Sequence, residues 1–140
     1  MNKIVPAILV KTKNSLVSRL NKVRGSVDSV QIDIMDGKFV RNKTISADTL
    51  KDIKTNLKLE IQLMVKNPKD YIAAFHEARA DTIIFHIESC KSKKDILDLI
   101  DQIRSRNMKV GIGINPDTPA AKIKPFLEKI DLALVMTVKP

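Results

Sequence analysis

The sequence predicts an α/β fold in one domain over residues 1–140, a (β/α)8 barrel carried through about six parallel strands and five helices. Three observations predict it. Short runs rich in Ile and Val alternate with polar stretches of helical spacing. Successive runs start about 23–30 residues apart, the repeat of a βα unit with parallel pairing. Several runs are apolar at one parity and mixed at the other, as expected of strands with helices on one side and a polar interior on the other.

The strand candidates are 4–10, 27–35, 57–65, 82–87, 108–114 and 132–138, each too short for a typical helix. In the second, Ile32 and Ile34 alternate with Gln31, Asp33 and Met35. In the third, Ile61, Leu63 and Val65 oppose Gln62 and Met64. The fourth sets Ile83, Phe85 and Ile87 against Ile84, His86 and Glu88; the fifth sets Val110, Ile112 and Ile114 against Gly111, Gly113 and Asn115. Between them, Leu16, Leu20 and Val23, and later Ile96, Leu99, Ile100 and Ile103, mark one face of a helix. Pro68 and Pro119 suit first helical turns, and Asn107 suits a helix end. An open flavodoxin-like sheet is the alternative with the same elements.

Composition narrows the function classes. The net charge is +9, but the lysines are spread along the chain without a dense basic stripe or interleaved aromatics, so solvated helix faces are expected and nucleic-acid binding is not. No apolar stretch approaches the roughly 20 residues of a membrane span. Cys90 is the one cysteine, so no internal disulfide forms, which suits a cytoplasmic location. The sequon Asn42-Lys43-Thr44 is read as chance in a chain without a secretion signal.

The segment from Gln31 through Thr44, Gln-Ile-Asp-Ile-Met-Asp-Gly-Lys-Phe-Val-Arg-Asn-Lys-Thr, resembles the signature of the ribulose-phosphate 3-epimerase family, which runs His, apolar, Asp, apolar, Met, Asp, Gly. Further segments resemble that family in order: Val5-Pro6-Ala7-Ile8-Leu9, Gln62-Leu63-Met64-Val65 with Asn67-Pro68, Phe85-His86-Ile87-Glu88, Gly111 through Pro116, and Met136 through Pro140. The resemblance implies interconversion of D-ribulose 5-phosphate and D-xylulose 5-phosphate in carbohydrate metabolism. One carboxylate on each side of the sugar trades the proton α to the carbonyl. It implies a divalent metal (Zn, Fe or Mn) that polarises the carbonyl. Asp33 matches the acid that also binds the metal; a strand-end Asp capping the next loop is the plainer reading. Met35, Met64 and Met136 match a methionine wall beside the substrate, or pack as ordinary core.

Three positions depart from the pattern. Gln31 and Gln62 stand where the family has metal-ligating histidines, and Ala7 stands where it has a substrate-contacting serine. A neutral amide oxygen is a weak ligand beside imidazole, so the metal is expected to be weakly held or lost. This leaves an isomerase open against an inactive homologue or a sugar-phosphate-binding module. A barrel decarboxylase fits poorly, because Asp33-Ile34-Met35-Asp36 lacks the Lys of Asp-x-Lys-x-x-Asp. The family's second acid and phosphate loops are expected beyond the sixth strand. A complete barrel takes about 250 residues. Taken alone, the 140 residues are therefore expected to leave two strand edges open and to be unstable or self-associating, completed by a homo-oligomer or a further chain segment.

Overall fold

The computed structural model describes residues 2–140. Among them six strands form one sheet: β1 (Ala7–Ile8), β2 (Ser29–Met35), β3 (Lys58–Met64), β4 (Thr82–His86), β5 (Lys109–Ile114) and β6 (Leu132–Val135). All five pairings are parallel, and the spatial order follows the chain from β1 to β6. A doubly wound sheet reverses direction at a switch point, so this winding is that of a barrel and sets aside the flavodoxin-like alternative.

The crossovers carry α1 (Lys13–Val23), α2 (Ala47–Lys51), α3 (Ile72–Glu77) and α4 (Lys93–Arg104). The fifth crossover is helical only as two 3-10 segments, Ala120–Lys122 and Lys124–Lys129. Pro125 explains the break: an α-helix running on from Ala120 would use the N–H that residue 125 lacks, whereas Pro119 stands at the helix start, where proline is tolerated. Side chains cap the starts of α1 and α4. Thr12 accepts from the Ser15 N–H at the head of α1, and Ser92 and Asp95 form a reciprocal capping box at the head of α4. Asn107 ends the α4 turn at φ 58°, and Arg79 does the same after α3 at φ 62°, a left-handed position not foreseen from its residue type.

Parity assigns the two faces as expected. Ile32, Ile34, Ile61, Leu63, Ile83, Phe85, Val110 and Ile112 join Leu16, Leu20, Phe75, Ile96, Leu99 and Ile103 in one buried cluster between sheet and helices. The other parity faces inward, away from the helices. The two outermost strands are shorter than expected. β1 covers Ala7–Ile8 rather than 4–10, and β6 covers Leu132–Val135 rather than 132–138. Each pairs on one side only, and Pro6 offers no N–H; Ile4 and Val138 are largely exposed. No helix among the described residues is long and apolar enough to cross a membrane.

Candidate active site on the inner face of the sheet

Register places the inward residues in rows. Ala7 pairs with Gln31, and one row further Asp33 lies beside Gln62, Ile84, Gly111 and Leu132. Met35 pairs with Met64 at the carboxyl ends of β2 and β3. The segment after β2 is pinned by Thr44. Its hydroxyl donates to the Asp33 carbonyl at 2.9 Å and accepts from the Met35 N–H at 2.9 Å. Asp36 ties the same region together: its carboxylate accepts from the N–H groups of Lys38, Phe39 and Lys66 at 2.8, 2.9 and 2.9 Å. Burial pushes Asp36 up, but these three donors outweigh it and hold the carboxyl below its ordinary value.

Four polar side chains form a continuous ladder across β2, β3 and β4. Gln31 Nε2 donates to Asp33 Oδ1 at 2.9 Å and to Gln62 Oε1 at 2.7 Å. Gln62 Nε2 lies 2.9 Å from His86 Nε2 and donates to Met136 Sδ at 3.1 Å. Chemistry fixes the direction. An ionised Asp33 only accepts, so Gln31 must turn its nitrogen to it. That nitrogen then faces the Gln62 oxygen, and the Gln62 nitrogen faces an unprotonated His86 Nε2. His86 therefore carries its proton on Nδ1, which lies 3.4 Å from Glu88 Oε2.

The electrostatics agree with that polarity. Burial pushes Asp33 above its ordinary value, against the hydrogen bond from Gln31. Burial pushes His86 below its ordinary value, against the attraction of Glu88 and the contact with Asn115, so the imidazole is neutral and its approach to Glu88 is not an ion pair. Burial would raise Glu88, but the Thr118 hydroxyl and the Asn115 N–H donate to Oε1 and hold the carboxyl down. Phe39 packs against the His86 ring at 5.6 Å between centroids.

The structure thus brings Gln31, Asp33, Gln62 and Met136 together, with Met35 and Met64 buried beside them. Ala7 is next to Gln31 but contributes only a methyl group. Sequence reasoning missed Gly111 and Gly113 as site residues. A Cβ on Gly111 would stand 2.8 Å from Ile84 Cγ1, and one on Gly113 would stand 3.1 Å from His86 Nε2. The two glycines make room for side chains of β4 that lean across the inner face. Their alternation on one strand was the available signal.

The residues present do not fit a divalent metal. Among the described residues no three His, Cys, Asp or Glu side chains converge as a ligand set. At the two family histidine positions, the Gln31 nitrogen faces Asp33 and the Gln62 oxygen is taken up by Gln31. A cavity of about 910 Å³ lies at the opposite ends of the strands, lined by Arg24, Lys54, Lys58 and Arg79 among others. Arg24 and Arg79 follow the ends of α1 and α3, where a cation complements the partial negative charge of the helix.

Comparison with known proteins gives a consistent picture. The sequence profile described as the ribulose-phosphate 3 epimerase family matches residues 3–140. The chain is 36% identical over 143 residues to a ribulose-phosphate 3-epimerase of Bacillus subtilis, covering 100% of this chain and 64% of that protein. It is 36% identical to the cytoplasmic isoform of Oryza sativa, covering 99% of this chain and 62% of the relative. To the Treponema pallidum protein of that name it is 44% identical over 113 residues, covering 79% and 50%. The chain spans about half to two-thirds of the length of these relatives. With the profile matching nearly every residue, the chain belongs to the ribulose-phosphate 3-epimerase family.

Proposed function

We propose that the protein to which this chain contributes acts on a pentulose 5-phosphate, interconverting D-ribulose 5-phosphate and D-xylulose 5-phosphate, with Asp33 as the acid–base group on one side of the sugar. The observation that carries this is the state of Asp33. It is a half-buried carboxylate on the inner face, held at Oδ1 by Gln31 and raised above its ordinary value by burial. A raised carboxyl is better matched to moving a carbon-bound proton near neutral pH. Gln31 donates to Asp33 at Oδ1, which leaves Oδ2 as the atom proposed to take the proton. Met35, Met64 and Met136 line the space with polarizable, weakly hydrated surface, which limits exchange of that proton with water.

The test is deuterium wash-in at C3 of ribulose 5-phosphate in D2O with the full-length protein. Incorporation that is lost in Asp33→Asn supports the proposal. A second reading, sugar-phosphate binding without turnover, is favoured by one feature of the ladder. The Nε2 groups of Gln31 and Gln62 each point to two partners inside it, so the ladder presents no amide N–H to a developing enediolate. Saturable binding with no wash-in supports that reading instead. The single cysteine supports a cytoplasmic location; burial pushes the Cys90 thiol up to about 11, which leaves it unreactive. The open sides of β1 and β6 support completion of the sheet by further strands or by a second copy.

A further inference from the structure

We infer that Gln31 and Gln62 replace a metal in this site: they hold Asp33 and His86 in place by amide hydrogen bonds and make the site metal-independent. The inference rests on the reading of the inner face as the active site, but not on turnover. A divalent ion at this place would need lone pairs from β2 and β3 converging with Asp33. The ladder offers the opposite. Gln31 turns N–H groups, not lone pairs, toward both Asp33 and Gln62. The one lone-pair group of Gln62 already accepts from Gln31 at 2.7 Å. Turning either amide over to expose its oxygen would set Gln31 Oε1 against Asp33 Oδ1, or Gln62 Nε2 against Gln31 Nε2. Both contacts are repulsive. Gln62 and His86 are buried at 1% and 0% exposure, so water does not compensate a broken rung.

Two amides do locally what a cation would do. Gln31 places an N–H dipole against the carboxylate, and the two amides together order Asp33 and His86 on the strands either side of β3. Unlike a cation, they leave Asp33 Oδ1 as a hydrogen-bond acceptor rather than a ligand. The roles follow from residue identity, so histidine at both positions should return the missing lone pairs without new backbone.

The experiment is equilibrium dialysis of the full-length protein, purified without chelator, against zinc, with metal quantified per chain. The expected result is substoichiometric zinc on the wild type and about one equivalent on the double variant Gln31→His/Gln62→His. About one equivalent on the wild type that is lost in Asp33→Asn would overturn the inference. So would a folded double variant that takes up no more zinc than the wild type. If the double variant does not fold, the wild-type dialysis decides alone. Because the readout is metal content, its failure is distinct from a failure to see proton exchange.

Discussion

On the outer face of the sheet, Ile34, Leu63, Phe85 and Ile112 run in register across four strands and bury themselves against helices. One position along on the inner face, the same strands present Asp33, Gln62, Ile84 and Gly111. The outer row is held by removal of apolar surface from water, which is non-directional and tolerant of small shifts. The polar part of the inner face, from Asp33 through Gln31 and Gln62 to His86, is held by hydrogen bonds whose direction propagates from one side chain to the next, so one wrong atom disturbs several partners. One face is thus built to be stable and the other to be specific.

The largest effect should come from the outer face. Phe85→Ala removes a fully buried ring and should cost about 3–5 kcal/mol in denaturant unfolding. If the loss is small, the outer face is not the main source of stability. Next, Asp33→Asn should lower proton exchange by about 100-fold or more. It should not lower the unfolding temperature near neutral pH. The folded Asp33 has a raised carboxyl, so its contribution to stability is greatest below the ordinary value of 3.8 and falls as pH rises through the folded value. Removing the charge relieves that loss at neutral pH. A variant clearly less stable at pH 7 would show Asp33 to be structural.

A smaller effect is expected from Gly111→Ala. Its Cβ would meet Ile84 at 2.8 Å, with Cβ and Cγ2 of that β-branched side chain at 3.3 Å, so it cannot swing aside cheaply. The expected cost is about 1–3 kcal/mol, read by denaturant unfolding. The smallest effect is a pH dependence. His86 is pushed down, so the stability it contributes is complete above 6.5 and is lost as pH falls from 6.5 through its folded value. Unfolding curves over that window should show the loss in the wild type and a weaker one in His86→Gln.

Much of the outer face was legible in the sequence, because strand parity needs only period-two alternation. Ile61, Leu63 and Val65 opposite Gln62 and Met64 are enough to separate the faces. The strand ends were less so: β1 and β6 each pair on one side only and shorten, and Pro6 offers no N–H at the start of β1. On the inner face, Asp33, Gln31, Gln62 and Met136 were singled out, but their connection was not. An amide reads alike in either orientation until its neighbours are placed, and Met136 is 74 residues from Gln62. Thr44 passed as part of a chance sequon, yet its hydroxyl bridges Asp33 and Met35. Asp36 was read only as part of a motif, but one of its three donors is Lys66, 30 residues on. Gly111 and Gly113 matter only because Ile84 and His86 lean over them, a fact of packing between strands.

The polarity of the ladder can be read at its far end. Asp33 fixes Gln31, Gln31 fixes Gln62, and Gln62 fixes the tautomer of a buried imidazole. Nitrogen NMR of His86 in the full-length protein near pH 7 measures that tautomer. The expected result is a neutral ring with the proton on Nδ1 and an unprotonated Nε2. A neutral ring protonated on Nε2 would mean that Gln62 presents its oxygen to His86, and the ladder running from Asp33 would be wrong.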